Sequence, residues 1–445
     1  MLSGWQPPLN FYFQDPTELA IITRSMETVC SSAELRLAST LLNVPPGAKP
    51  RPQSVSSARR QTPQQLRQLA TKKRPPSPPE DRWLAGYTKI KKLGAGGFGT
   101  VWQVIDAKTS AAFALKQIPK DEALMSNAVA SAITEARVGT TLFAGVDVVG
   151  DKLRQRLPPS SSSSSSAKGP QLECIAQLYR VIETKHDLWL LFEQGGETLH
   201  NMLFEIKGDF YQGSRVYKIL HKPLYVAMQE NIQLLKTLLR QLISAVATLT
   251  ELGVVHADIK PDNILVTSTL LPNGKRELHL KLIDFGAAFR AASPRLSSAT
   301  TPEYVPPDIH ELLRTKHSAN HIKLYFEDHC TPHAFDMWSV GSVFLEIAAG
   351  VPIWFAFKSR VDESAKPRLV TGLMSAPGRH PDKIALRQTY VAGNLAKCLR
   401  DSPGMNVESK RWQHGVDLLQ RMLTVCPRQR ISPQEALAHP FLSAL

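Results

Sequence analysis

The pattern of apolar and polar positions changes character near residue 80. Before that point hydrophobic side chains recur without a sustained period. From Pro45 to Pro79 the chain is dominated by Pro, Ser, Gln, Arg and Lys, a composition that buries too little apolar surface to offset the entropy of ordering. Residues 1–82 are therefore expected to form a mostly disordered extension, in which Gln64–Thr71 could make a short helix and Phe11–Phe13 could dock on a folded neighbour. From Trp83 onward β-type patterning takes over, and Tyr87–Leu93, Gly99–Asp106 and Ala112–Ile118 read as strands. Helical periodicity begins with Ala128–Leu142 and dominates the second half. Strands first and helices later predict an α+β architecture, with a small sheet-rich lobe over about 83–193 and a larger helical lobe over about 194–445. Within the first lobe, the segment 145–169 with its run Ser160–Ser166 is expected to be a flexible surface insertion.

Composition narrows the picture. A chain of 445 residues with 43% hydrophobic content can bury the core of one large two-lobed domain. Its five cysteines, Cys30, Cys174, Cys330, Cys398 and Cys426, are scattered and odd in number, which argues against a disulfide framework and for a reducing compartment. Met1–Asp15 has neither the basic start nor the apolar run of a secretory signal, so an intracellular protein is expected, cytoplasmic or nuclear. The membrane-like stretch Phe335–Phe357 carries Asp336, Glu346 and Pro352, so it reads as a buried core helix rather than a span. The net charge of +14 is spread along the chain, and its one compact cluster, Lys72 to Arg74, lies in the proline-rich stretch. A solvated tail is preferred there over a nucleic-acid site, with weak nuclear import as the alternative.

Chemistry enters with LGAGGFGTV, Leu93 to Val101. Gly94, Gly96 and Gly99 let backbone amides approach phosphate oxygens without interference from Cβ atoms. The run leads into another strand rather than a helix, which argues for a hairpin lying over a nucleotide instead of a dinucleotide site. Lys116 in the apolar strand FALK needs an anionic partner if it faces the inside of the lobe; a strand-edge lysine in water is the commoner alternative. Glu135 is the natural carboxylate to hold it, with Glu122 also near in sequence. Further on stand VHADIKPDNILV, Val255 to Val266, and LKLIDFG, Leu280 to Gly286. Each aspartate alone could be a turn or cap residue; as a set they are not.

Taken together, in this order and at these spacings, these segments resemble the protein kinase superfamily, serine/threonine type, over residues 85–445. The resemblance implies a bilobal kinase fold and transfer of the ATP γ-phosphate to serine or threonine of protein substrates, with ATP and Mg2+ as cofactors. Asp258 corresponds to the catalytic base and Lys260 to the residue that steadies the γ-phosphate. Asn263 and Asp284 correspond to the magnesium ligands, as suits a hard cation. Lys116 and Glu135 correspond to the phosphate-binding ion pair, and Thr301 to the threonine that contacts base and lysine. The phosphate loop maps to Leu93, Gly94, Ala95, Gly96, Gly97, Phe98 and Gly99. The adenine site maps to Val101 and Ala114 above the ring and Leu265 below it, with Phe192 as gatekeeper and Glu193 to Gly195 as hinge. TTPEYVPPD, Thr300 to Asp308, resembles the segment that closes the activation loop and forms the substrate shelf, and Arg430 matches the buried arginine partner of its last acid.

Four departures carry information. Ala257 replaces the arginine that in the family receives an activation-loop phosphate, so independence from phosphorylation of Ala287–Thr300 is expected. Asp308 replaces a glutamate. Gly139 stands where a bulky apolar residue is usual, with Leu142 or Val138 as substitutes. The stretch Ile309–Phe335 is lengthened and carries His317, His321, His329, Cys330 and His333, read as a polar surface insertion or, alternatively, a zinc site. A nucleotide-binding scaffold would be expected to have lost Lys116, Asp258 or Asp284, and a small-molecule kinase would lack the peptide shelf. Both alternatives are weaker than a protein kinase. Asp262 adds an acidic touch to the expected peptide groove.

Overall fold

A computed structural model of the chain describes residues 84–96, 99–120, 126–157, 172–211, 214–270, 276–297, 300–314, 318–353, 359–360, 369–372, 381–400, 402 and 404–443. The expected extension 1–82, the serine run, Gly97, Phe98, Glu122 and His317 lie outside the described residues.

The three predicted strands form as β1 (Tyr87–Gly96), β2 (Gly99–Asp106) and β3 (Ala112–Pro119). With β4 (Asp147–Val149), β5 (Leu178–Glu183) and β6 (Asp187–Glu193) they make a six-stranded sheet in the order β1-β2-β3-β6-β5-β4. Side-chain alternation assigns the faces. Val104, Leu115, Ile182, Trp189 and Leu191 form a small core on one side, so Ala114 and Lys116 point to the other. On that other side lies α1 (Ser126–Leu142). Its buried Ala128, Ala132 and Ala136 recur every fourth residue and give it a narrow seam toward the lobe interior. Gly139 carries the close approach on, since a Cβ there would come 2.3 Å from Leu178 Cδ2. The bulk expected at position 139 is thus supplied from β5.

The segment 145–169 is only partly the loop expected. Its first part forms β4, parallel to β5 with Val148 opposite Val181, and α2 (Asp151–Arg156). Leu153 and Leu157, four residues apart, are buried in the main core and fix that helix in place.

The second lobe is built on two helices. In α5 (Ile232–Glu251) the buried positions include Leu234, Leu235, Leu238, Leu239, Leu242 and Ile243, a broad apolar face. Among the described residues it is the one helix long and apolar enough to cross a membrane, and 67% of its apolar window is buried inside the protein, as in a core helix. Every residue of α8 (Ala334–Ala349) is buried, in agreement with the core-helix reading of Phe335–Phe357 as far as Ala349; residues 354–357 lie outside the described residues. Gly350, with φ 70°, ends α8 in the left-handed conformation that glycine adopts at least cost. The β11 (Ile264–Leu270) and β12 (Arg276–Leu282) hairpin lies beneath the sheet lobe and is joined by β7 (Glu197–Thr198). A second sheet was not foreseen. It combines the hairpin β8 (Phe204–Tyr211) and β9 (Ser214–His221) with β15 (Leu369–Gly372) and β14 (Ser359–Arg360).

Arg430 pins the far side of this lobe. Its side chain is fully buried, stands over the Trp338 ring at 5.0 Å and bonds the carbonyls of Ala334, Thr424 and Val425 as well as Asp308 Oδ1 at 3.2 Å. The carbonyl bonds explain why a carboxylate one methylene short suffices. Replacing Arg430 by methionine strands Asp308 and three carbonyls. A loss of about 3–5 kcal/mol is expected from the urea unfolding midpoint.

Candidate active site

Lys116 and Glu135 come from elements more than a strand apart in sequence, and the fold brings them to 2.6 Å. The lysine also reaches Asp284 Oδ1 at 3.0 Å, so one ammonium joins β3, α1 and the loop after β12. Burial works against its charge. The Glu135 carboxylate and then Asp284 outweigh that cost and hold the lysine pKa above its ordinary range. Burial likewise pushes against the Asp284 charge, but Lys116 keeps its carboxyl below the usual aspartate value. Asp284 has φ 64°, a conformation of the sort that costs energy and clusters at functional loops. Gly286 two residues on has a steric reason: a Cβ there would meet Ser131 Oγ of α1 at 2.0 Å.

Asp258 sits at the centre of a second group. Its Oδ2 accepts from Lys260 Nζ at 2.7 Å and from Asn263 Nδ2 at 2.9 Å, and its Oδ1 accepts from the Thr301 amide at 2.9 Å. Lys260 Nζ also donates to Thr301 Oγ1 at 2.6 Å. Asn263 turns its NH2 toward Asp258, which leaves its amide oxygen on the side away from that carboxylate.

Three supports escaped the sequence reading. Asp336 of α8 accepts from the amides of His256 at 2.8 Å and Ala257 at 3.0 Å, and burial pushes its own carboxyl up. The His256 ring bridges the two loops: Nε2 lies 3.0 Å from the Ile283 carbonyl, Nδ1 accepts from the Asp258 amide at 3.2 Å, and the ring packs on Phe285 at 4.6 Å. The neutral tautomer with hydrogen on Nε2 satisfies both contacts. Glu193 is anchored by Lys281 Nζ at 2.9 Å and the Gln177 amide at 3.3 Å, which steadies the predicted hinge from behind. A carboxylate inside an otherwise apolar helix, such as Asp336, is the signal that could have revealed the first of these.

Between the lobes runs a cleft of about 1240 Å3. The predicted Leu93, Gly94, Ala95, Gly96, Gly99, Val101, Ala114, Lys116, Glu135, Glu193, Gly195 and Leu265 line it, as do Lys260, Asn263, Asp284 and Thr301. Phe192 lines it as well, and Asp258, outside the lining, is bonded to Lys260 and Thr301 of its wall. The β1–β2 hairpin roofs it, with Gly96 opposite Gly99 and Gly94 opposite Val101. Gly99 has φ 127°, and a Cβ there would meet the Gln117 carbonyl at 2.2 Å. At the hinge, a Cβ on Gly195 would strike Leu265 Cδ1 at 2.4 Å. The cleft offers an ammonium and backbone amides where phosphates would lie, an apolar slot inward of them and two hard oxygen donors beside them. These features fit ATP and Mg2+.

The protein kinase domain family matches residues 165–442. The chain belongs to the protein kinase family. It is similar to Mitogen-activated protein kinase HOG1 of Kluyveromyces lactis, 25% identical over 363 residues that cover 80% of this chain and 63% of the relative. The protein of the same name from Alternaria brassicicola is 26% identical, covering 80% and 79%. Cyclin-dependent kinase 14 of Oryctolagus cuniculus is 27% identical over 371 residues, covering 81% and 62%. The chain thus spans less than two thirds of the first and last of these relatives. The family match begins at residue 165, so β1 to β3, with the glycine hairpin and Lys116, are joined to the kinase site by the geometry above.

Of the residues in the zinc alternative, His317 lies outside the described residues. Among the described residues no group of three His, Cys, Asp or Glu side chains is placed to hold a metal. His321 is paired with Ser318, and Cys330 and His333 both turn to Thr331.

Glu346 of the kinase C-lobe accepts from Tyr304 Oη at 2.7 Å and the Ile353 amide at 3.2 Å, while its Oε1 is buried without a partner. Burial pushes its carboxyl from an ordinary value near 4.5 up to about 8. Folding therefore takes up a proton between those two values, and stability falls as pH rises from about 4.5 to 8, then levels off. In Glu346→Gln this contribution, about 5 kcal/mol at most, should vanish from a series of urea titrations over that window.

Proposed function

We propose that this kinase transfers the γ-phosphate of ATP to serine or threonine hydroxyls of proteins. The observation that carries the proposal is the joint placement of Asp258, Lys260, Asn263 and Thr301 below the cleft, with the Lys116, Glu135 and Asp284 triad above it. Phosphoryl transfer asks a protein to hold donor and acceptor in line and to neutralise charge. Asp258 Oδ1 and Oδ2, fixed by three donors, would orient an acceptor hydroxyl and take its proton. Lys260, tied to both Asp258 and Thr301, would meet negative charge on the transferring group, and Lys116 the phosphates deeper in. Magnesium, when held by Asn263 and Asp284, would supply further neutralisation of phosphate charge. Thr301 hydrogen-bonds the lysine that accompanies the base, and this contact supports serine and threonine as acceptors.

Two carboxylates support an acidic substrate side of the cleft. Glu197 and Asp262 are exposed and line it beyond Asn263. Carboxylates there favour basic residues flanking the acceptor. None of the four described cysteines is in a disulfide, which suits an intracellular protein, and cytoplasmic or nuclear residence belongs to the same proposal.

With magnesium and labelled ATP, Asp258→Asn should lose about a hundred- to ten-thousand-fold in transfer to a generic protein substrate, with label on serine or threonine in the unaltered protein. Equal background signals from both proteins, despite ATP binding, would overturn the activity. On a degenerate peptide array, arginine or lysine near the acceptor should be preferred, and indifference to charge would remove the acidic-groove assignment alone.

A further inference from the structure

The lengthened stretch between Ile309 and Phe335 takes no part in the chemistry described so far, and it is only partly the polar surface insertion its composition suggested. It forms α7 (Ala319–Asp328), whose Tyr325 and Phe326 are buried. These two neighbours reach opposite ends of the activation segment, Asp284 to Asp308. Phe326 meets Phe289 edge-on at 5.3 Å. Phe289 lies on β13 (Phe289–Arg290), paired residue for residue with β10 (Val254–Val255), the strand that runs directly into His256, Ala257 and Asp258. Tyr325 Oη donates to Asp308 Oδ2 at 2.5 Å, at the other end of the segment, where Arg430 holds Oδ1. Around them is one continuous apolar cluster that includes Val255, Ala257, Ala287 and Val305, with Leu296 of the loop and Ile322 of α7 at its margin.

Ala257 is the informative member. Where the family resemblance has a cation awaiting phosphate, this chain puts a methyl group among apolar side chains. A guanidinium in that cluster would be desolvated without a counter-charge. Resting on the kinase reading above, we propose that α7 is a built-in brace for the activation segment, with Phe326 and Tyr325 as positioning residues that do by packing and one hydrogen bond what a phosphate–arginine contact does elsewhere. The brace holds both ends of the segment and, through β13 and β10, the catalytic loop. It carries no charge that a phosphatase could remove.

The test uses the full chain treated with phosphatase, alongside Phe326→Leu, Tyr325→Phe and, as a control on the exposed face of α7, Leu324→Ala. Amide hydrogen exchange and steady-state peptide phosphorylation are measured on each. The brace requires that the treated protein keep its activity and that alanine at Ser293, Ser297 and Ser298 together leave it active. Phe326→Leu should speed exchange at 287–291 and 254–258 and lower kcat roughly tenfold, the scale of a lost aromatic contact, with little change in KM for ATP. Tyr325→Phe, which deletes one oxygen, should loosen 305–310, and Leu324→Ala should change nothing. Unaltered exchange in the segment, or a uniform rise across the whole domain, would overturn the brace, as would activity abolished by phosphatase. Absence of Asp258-dependent transfer in the unaltered protein would instead strike at the kinase reading, and the exchange pattern would still decide the brace.

Discussion

A single buried carboxylate sets the frame on which the rest of the site depends. Asp336 sits in a helix whose every residue is buried, and its two oxygens take the backbone amides of His256 and Ala257. Ala257 has φ 64°, a conformation that disfavours residues with a Cβ. A pair of hydrogen bonds from one rigid carboxylate is what holds it there. The strained residue immediately precedes Asp258, so α8 fixes the path of the catalytic loop before any of that loop's own side chains act. His256 then passes the constraint to Ile283 and Phe285, and so to Asp284. Desolvating Asp336 is costly, and α8 tolerates it because each oxygen accepts a backbone amide of the bent loop.

The second constraint is electrostatic and spans the lobes. Three charges meet at Lys116, and each is expensive to bury alone. Together they stabilise the arrangement in which α1 lies against β3 and Asp284 turns into the cleft. Removing Lys116 leaves two carboxylates without a cation, and removing either carboxylate costs the buried ammonium a partner, so the triad favours this arrangement of the two lobes over others. The cleft's shape follows from it, since the roof of glycines is carried on the same sheet that carries Lys116.

Much of this was legible in the chain because the chemistry restricts residue types. Lys116 meets Glu135 in an ion pair, and Asp258, Lys260, Asn263 and Thr301 form one hydrogen-bonded group, since hard oxygen donors and cations at fixed spacing admit few arrangements. The strand Gly99–Asp106 followed from alternation alone, and Ala112–Ile118 runs one residue longer than read, to Pro119. What escaped the sequence was relational. The seam of Ala128, Ala132 and Ala136 gives no hint that Leu178 fills the space beside Gly139. The short strand β4 has three residues, too few for periodicity to register. The β8–β9 hairpin gains its third strand from residues about 150 positions away in the chain, and no local pattern encodes that pairing. Tyr325 and Phe326 were obscured by the histidines around them, which drew attention to ligation rather than burial.

The same lesson bears on how this kinase differs from the pattern it resembles. A phosphate–arginine contact is strong because it is charged, and it is reversible for the same reason. An apolar cluster stabilises by area removed from water and has no such lever. Losing the arginine at position 257 while keeping an open loop would leave the segment Ala287–Thr300 without an anchor at its middle. The chain instead lengthens the connection before α8, and the added helix buries Phe326 against Phe289 and hands Asp308 a tyrosine hydroxyl. That hydroxyl gives Asp308 a second donor beside Arg430, one on each carboxylate oxygen. The two departures, alanine for arginine and aspartate for glutamate, thus both border the cluster around one helix that neither residue belongs to.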